Sequence, residues 1–69
     1  MKISARNQLS GTILEVTRGA TTAHVRIEIG AGQVIMAAIT NEAVDELGLK
    51  PGSKALAVIK ASDVMIAVA

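Results

Sequence analysis

Ala23, Val25, Ile27 and Ile29 alternate with Thr22, His24, Arg26 and Glu28. A period of two over that length predicts a half-buried strand, Thr22–Ile29. Gly30-Ala31-Gly32 reads as a tight turn suited to positive φ. Gln33–Ile39 (QVIMAAI) then forms the second arm of a hairpin. It is apolar on both faces, so it is expected to be covered on both sides. Upstream, Leu9–Val16 (LSGTILEV) mixes β-branched with polar residues and predicts another strand, and Gly11 inside it predicts a bulge or bend. Arg18-Gly19-Ala20 reads as the turn between the two.

The period changes at Thr40–Leu47. Ala43, Val44 and Leu47 share one helical face. Thr40 suits an N-cap, and Glu42 lies in the first turn, where the helix dipole favours negative charge. Gly48 and Pro51 follow at the distances expected of a helix end. Beyond the Pro51-Gly52 turn, Lys54–Lys60 (KALAVIK) and Asp63–Val68 (DVMIAV) predict two more strands. The result is a mainly β chain of five strands and one short helix. With the helix between strands three and four, that order matches a single five-stranded barrel of the oligonucleotide/oligosaccharide-binding type.

The last two strands are apolar on both faces. Ala55, Ala57 and Ile59 oppose Leu56 and Val58, while Val64, Ile66 and Val68 oppose Met65 and Ala67. A barrel has one inside, so the outward face is expected to meet another subunit. Composition strengthens this expectation. The 69 residues contain no aromatic and no cysteine, although 51% are hydrophobic. Chains this short rarely build enough core without a staple. Disulfides are excluded and one histidine does not make a zinc site, so oligomerisation remains.

Other classes are excluded by what the chain lacks. Its longest apolar runs, Val34–Ile39 and Val64–Ala69, are far shorter than the ~20 residues of a membrane span. No opening stretch is apolar enough for a signal peptide, and the lack of cysteine accords with the cytoplasm. Single-stranded nucleic acid is gripped by aromatic platforms and a basic groove. Here there is no aromatic, and seven cations balance six anions. His24 has only Glu28 on its own strand face as a carboxylate partner, about 13 Å along an extended strand. The carboxylates are scattered, and no nucleophile–histidine–acid arrangement or dinucleotide fingerprint is present, so no enzymatic activity is expected.

Three segments look unlike packing residues: Ser4-Ala5-Arg6-Asn7-Gln8, Gly19-Ala20-Thr21-Thr22 and Lys60-Ala61-Ser62-Asp63. They combine small side chains, hydroxyls and main-chain N–H groups, and two carry cations. Successive N–H groups can form an anion-binding concavity. The same residues also serve ordinary turns and strand starts.

These segments carry a family resemblance. Ser-Ala-Arg-Asn-Gln near the start, Ile-Thr-Asn-Glu-Ala-Val-Asp-Glu-Leu-Gly-Leu in the middle and Ala-Val-Ile-Lys-Ala-Ser-Asp-Val-Met-Ile near the end closely resemble the molbindins. These are the small Mop proteins, related to the molybdate-binding domains of ModE-type regulators and of molybdate-transporter ATPases. The resemblance covers essentially the whole chain and implies one such domain over residues 1–69. It implies a homohexamer, a trimer of dimers that exchange first strands, acting in cytoplasmic molybdenum storage or homeostasis without nucleic-acid or membrane partners. The implied ligand is molybdate or tungstate, bound at subunit interfaces. Ser4, Ala5 and Arg6 would meet Lys60, Ala61 and Ser62 around one class of site, with Asp63 pointing away. Gly19, Ala20, Thr21 and Thr22 would form a second class near a threefold axis. A structural or interaction module without ligand is the alternative, since it also accounts for the apolar faces.

Overall fold

The computed structural model describes residues Met1–Ala69. Strands β1 (Asn7–Arg18), β2 (Thr22–Gly30), β3 (Gln33–Thr40) and β4 (Lys54–Ile59) form one antiparallel sheet in the order β3-β2-β1-β4. Helix α1 (Asn41–Leu47) follows β3, and a single 3₁₀ turn, Ala61–Asp63, follows β4.

β1 is long because it pairs twice. Its first half, Asn7–Thr12, pairs with β4, and its second half, Thr12–Arg18, pairs with β2. The sheet therefore curls about β1. The bulge lies at Leu14, where Ile13 and Glu15 flank an extra residue opposite Ile27 and Arg26. Gly11 is instead a point of close approach: a Cβ there would sit 2.5 Å from the Glu28 carbonyl oxygen and 2.6 Å from Ile27 Cγ2. Gly11→Ala should therefore force backbone movement and cost about 1–3 kcal/mol, typical of overpacking. An unchanged melting temperature would contradict this.

The helix signals act as expected. Thr40 Oγ1 accepts from the Ala43 N–H at 3.1 Å. Gly48 adopts the left-handed conformation, φ 64°, and the N–H groups of Gly48 and Leu49 donate to Asp45 and Val44 carbonyls. In the β2–β3 turn, Ala31 is also left-handed at φ 52°, a conformation unfavourable to a residue with a Cβ.

Ile13, Ala23, Val25, Ile27, Val44 and Ala57 form the buried core. It is open on one side. A cleft of about 320 Å³ separates the edge strands β3 and β4, and all fourteen residues lining it are hydrophobic, among them Ile35, Ala37, Ile39, Ala55, Ala57 and Ile59. β3 is covered on its inner face only, since Val34 and Met36 are exposed.

The expected fifth strand is corrected. Asp63–Val68 is not a strand in this chain: Asp63 ends the 3₁₀ turn and Val64–Ala69 pairs with nothing. The sheet is thus a four-stranded half-barrel. β1 is the strand most fully paired within its own chain, and the unpartnered segment is the last one. Alternating apolar residues show that a segment can pair, but carry no record of which chain it pairs with. The tail leaves Met65, Ile66 and Val68 at least 86% exposed. The chain's accessible surface is 5319 Å². A compact monomer of its mass would expose about 4,100 Å².

Candidate oxyanion sites at the two ends of β1

The register of β1 against β4 decides where the first two segments meet. Asn7 pairs with Ile59. Ser4-Ala5-Arg6 runs into that pair and Lys60-Ala61-Ser62 runs out of it, so both arrive at one end of the sheet. The six residues lie at or near the surface. Neither Arg6 nor Lys60 enters either of the chain's ion pairs, Arg18–Asp45 and Arg26–Glu15. Both cations are free for another partner.

Three of the carbonyl groups at this end are occupied. Gln8 Nε2 donates to the Ala5 carbonyl at 2.9 Å. The Lys60 carbonyl accepts from the Asp63 N–H at 2.9 Å, and the Ala61 carbonyl accepts from the Val64 N–H at 3.3 Å. The N–H groups of Ser4, Ala5, Arg6, Ala61 and Ser62, by contrast, have no acceptor within the chain. The hydroxyls of Ser4 and Ser62 are likewise unbonded. The 3₁₀ turn does this locally, because its i→i+3 bonds use carbonyls and leave its first N–H groups over. What remains is a surface rich in donors.

Gly19–Thr22 lies at the opposite end of β1, so within one chain the two candidate sites are separate. Here three of the four carbonyls are engaged. The Gly19 N–H donates to the Thr22 carbonyl at 2.8 Å. Asn41 contributes twice: its backbone N–H donates to the Thr21 carbonyl at 2.9 Å and its Nδ2 donates to the Gly19 carbonyl at 3.0 Å. The Ala20 and Thr21 N–H groups and both threonine hydroxyls have no acceptor in the chain. The nearby Asp45 carboxylate is neutralised by Arg18, Nη2 to Oδ1 at 2.6 Å. Asn41 is the residue that sequence reasoning passed over. Its contact spans 22 residues, so no local pattern marks it.

His24 pairs with Thr17 and Ala38 on the exposed sheet face, and its side chain makes no hydrogen bond or ion pair. No cluster of three or more His, Cys, Asp or Glu residues could hold a metal ion. No helix is long and apolar enough to cross a membrane.

A surface rich in unpaired N–H and O–H donors, with free cations, suits a fully ionised oxyanion. Comparison with known proteins agrees in kind. The TOBE domain family model matches residues 3–66. Molybdenum-pterin-binding protein 1 of Clostridium pasteurianum is 48% identical over 66 residues, covering 96% of this chain and 97% of that one. Among solved structures, the apo form of MopII from the same organism has 45% identity and a TM-score of 0.90, covering 97% of this chain and all of that one. The cytoplasmic molybdate-binding protein ModG, solved with molybdate bound, has 49% identity and a TM-score of 0.90; the match covers 94% of this chain and 46% of ModG. These relatives are named for binding and not for catalysis. The half-barrel with its two donor-lined ends is therefore a TOBE domain, and the chain belongs to the Mop family of molybdenum-pterin-binding proteins.

Proposed function

We propose that this chain binds molybdate, and tungstate alike, as a cytoplasmic store or buffer, with residues 1–69 acting as one domain. The observation that carries this reading is the concentration of unpaired N–H and hydroxyl groups at both ends of β1. Molybdate is a tetrahedral dianion whose oxygens only accept hydrogen bonds. Ser4, Arg6, Lys60 and Ser62 supply hydroxyls and charge, and Ala5 and Ala61 supply N–H groups beside side chains too small to obstruct the anion. Gly19–Thr22 supplies the second class. The sites lie at subunit interfaces of a hexamer, a trimer of dimers, where donors from more than one chain converge. The exchanged element is the tail Val64–Ala69, which enters the apolar cleft between β3 and β4 of a second copy.

A structural module without ligand is favoured by one observation, the exposed apolar residues Leu56 and Val58 on the outer face of β4. Calorimetric titration separates the readings, and suits a protein without Trp or Tyr. Molybdate and tungstate should bind alike and well above phosphate. Phosphate binding equal to that of molybdate, or no heat with either, would refute the proposal. Ser62→Ala should weaken molybdate binding by about 1–3 kcal/mol, the cost of a lost donor to a charged group. His24→Ala should leave affinity unchanged, and a large loss there would relocate the site.

A further inference from the structure

Helix α1 has seven residues, well short of the length at which an isolated helix persists in water. Its contacts with the rest of the chain must hold it. Val44 anchors it in the core, and Asn41 and Asp45, one helical turn apart on a shared face, attach it to the end of β1 and the turn that follows. Asn41 Nδ2 donates to the Gly19 carbonyl at 3.0 Å, the Asn41 backbone N–H donates to the Thr21 carbonyl at 2.9 Å, and Arg18 Nη2 donates to Asp45 Oδ1 at 2.6 Å. Between Arg18 and Thr21 only Ala20 is not gripped by the helix. We propose that α1 is the clamp of the Gly19–Thr22 turn and that Asn41 is its positioning residue, which fixes the Ala20 and Thr21 N–H groups before an anion arrives. This rests on the reading of that turn as an anion site and adds what prepares it.

Backbone donors serve a small anion well only if the chain that carries them is already ordered, because a loose turn loses binding free energy to its own ordering. This turn is closed from within and tied from outside. The Gly19 N–H bonds to the Thr22 carbonyl at 2.8 Å, and a Cβ at Gly19 would come within 2.9 Å of that same oxygen. The two bonds from Asn41 then fasten the turn to a helix whose Val44 is 1% exposed. Asn41 Oδ1 is buried without a hydrogen-bond partner. Turning the amide to relieve Oδ1 would set that oxygen against the Gly19 carbonyl oxygen, so the side chain keeps its grip on the turn and leaves its own acceptor unpaired. Coupling of this kind is reciprocal. If α1 readies the turn for an anion, an anion on the turn steadies α1.

The test compares the full-length wild type with Asn41→Ala and Asn41→Leu. Both keep the backbone N–H bond and remove the side-chain one. Leucine resembles the amide in shape and is a strong helix former, which guards against loss of folding. Amide ¹H–¹⁵N shifts of Ala20 and Thr21 follow molybdate binding at the turn, and those of Ala61 and Ser62 follow it at the other end. Hydrogen exchange of the Gly48 and Leu49 amides, which bond to Asp45 and Val44 carbonyls at the far end of α1, reports on the helix. In the wild type, molybdate should slow that exchange. In both variants, affinity at the turn should fall about tenfold, the scale of one lost hydrogen bond, with affinity at the Ser62 end unchanged. The slowing at Gly48 and Leu49 should diminish in parallel, whereas any stabilisation from the Ser62 end is common to all three proteins. Unchanged affinity at the turn, or an equal fall at both ends, would show that Asn41 supports the fold and not the site, and would overturn the inference while the site stands. Exchange at Gly48 and Leu49 indifferent to molybdate in the wild type would equally overturn it. If molybdate moves neither Ala20 nor Thr21 in the wild type, the turn is no anion site and the inference falls with it.

Discussion

Deletion of Val64–Ala69 should break the assembly into single chains and lower the melting temperature sharply. Of the tail's large residues, Val64 is about half exposed in the lone chain, and Met65, Ile66 and Val68 are nearly fully so. Full burial of a Val, Ile or Met side chain contributes about 1.5–3 kcal/mol. Three or four such residues per tail give roughly 5–10 kcal/mol. A 69-residue domain has only about 3–10 kcal/mol of net stability. The tail's cover therefore matters as much as the fold it covers. Ile66→Asp combined with Val68→Asp should act similarly without shortening the chain, because a carboxylate in an apolar cleft has no partner. Light scattering on a sizing column gives the mass directly. A truncated chain that elutes at the wild-type mass would show that the tail is not the exchanged element.

Molybdate should hold the assembly together against dilution, heat and denaturant. If donors from two or more chains surround each anion, a separated chain keeps only part of a site. A ligand that binds only the assembled form stabilises it by RT ln(1 + [L]/Kd), about 2.7 kcal/mol per site at a hundredfold excess over Kd. Independent sites add, so several per assembly would give a large total. Sulfate at equal ionic strength should help less, which separates binding from salt screening. The apo form should still assemble, because the apolar cleft needs cover in either state. Native mass spectrometry under rising activation energy, with and without molybdate, measures the effect. Identical dissociation in both conditions alongside tight calorimetric binding would place the sites within single subunits.

The two predictions share a cause. The chain by itself is an incomplete surface, apolar between β3 and β4 and donor-lined at the ends of β1. An anion at an interface neutralises cations that assembly would otherwise bring together. Arg6 and Lys60 have no intramolecular carboxylate partner. Convergence of such residues from several chains is repulsive without a dianion and favourable with one. The stored ligand and the subunit contacts would then support each other.

Much of this was legible in local sequence. The alternation in Thr22–Ile29 placed β2 to within one residue, and Thr40 and Gly48 set the limits of α1, because strand period and helix caps depend on neighbours only a few positions apart. The absence of aromatics and cysteines raised the expectation of partners, because a short chain without either builds little core. The donor-rich segments were visible as residue types. Tertiary structure decided what depends on distant contacts. The pairing of Asn7 with Ile59 brings Ser4–Arg6 and Lys60–Ser62 to one end of the sheet. The approach of Gly11 to β2 makes it a packing position, while the bulge falls at Leu14. Asn41 reaches Gly19 across 22 residues and engages a carbonyl of the turn. The apolar tail has the pattern of a strand, yet in its own chain it pairs with nothing: a period of two fixes which faces a segment offers, and only the arrangement of the other strands determines whether an edge is there to receive it.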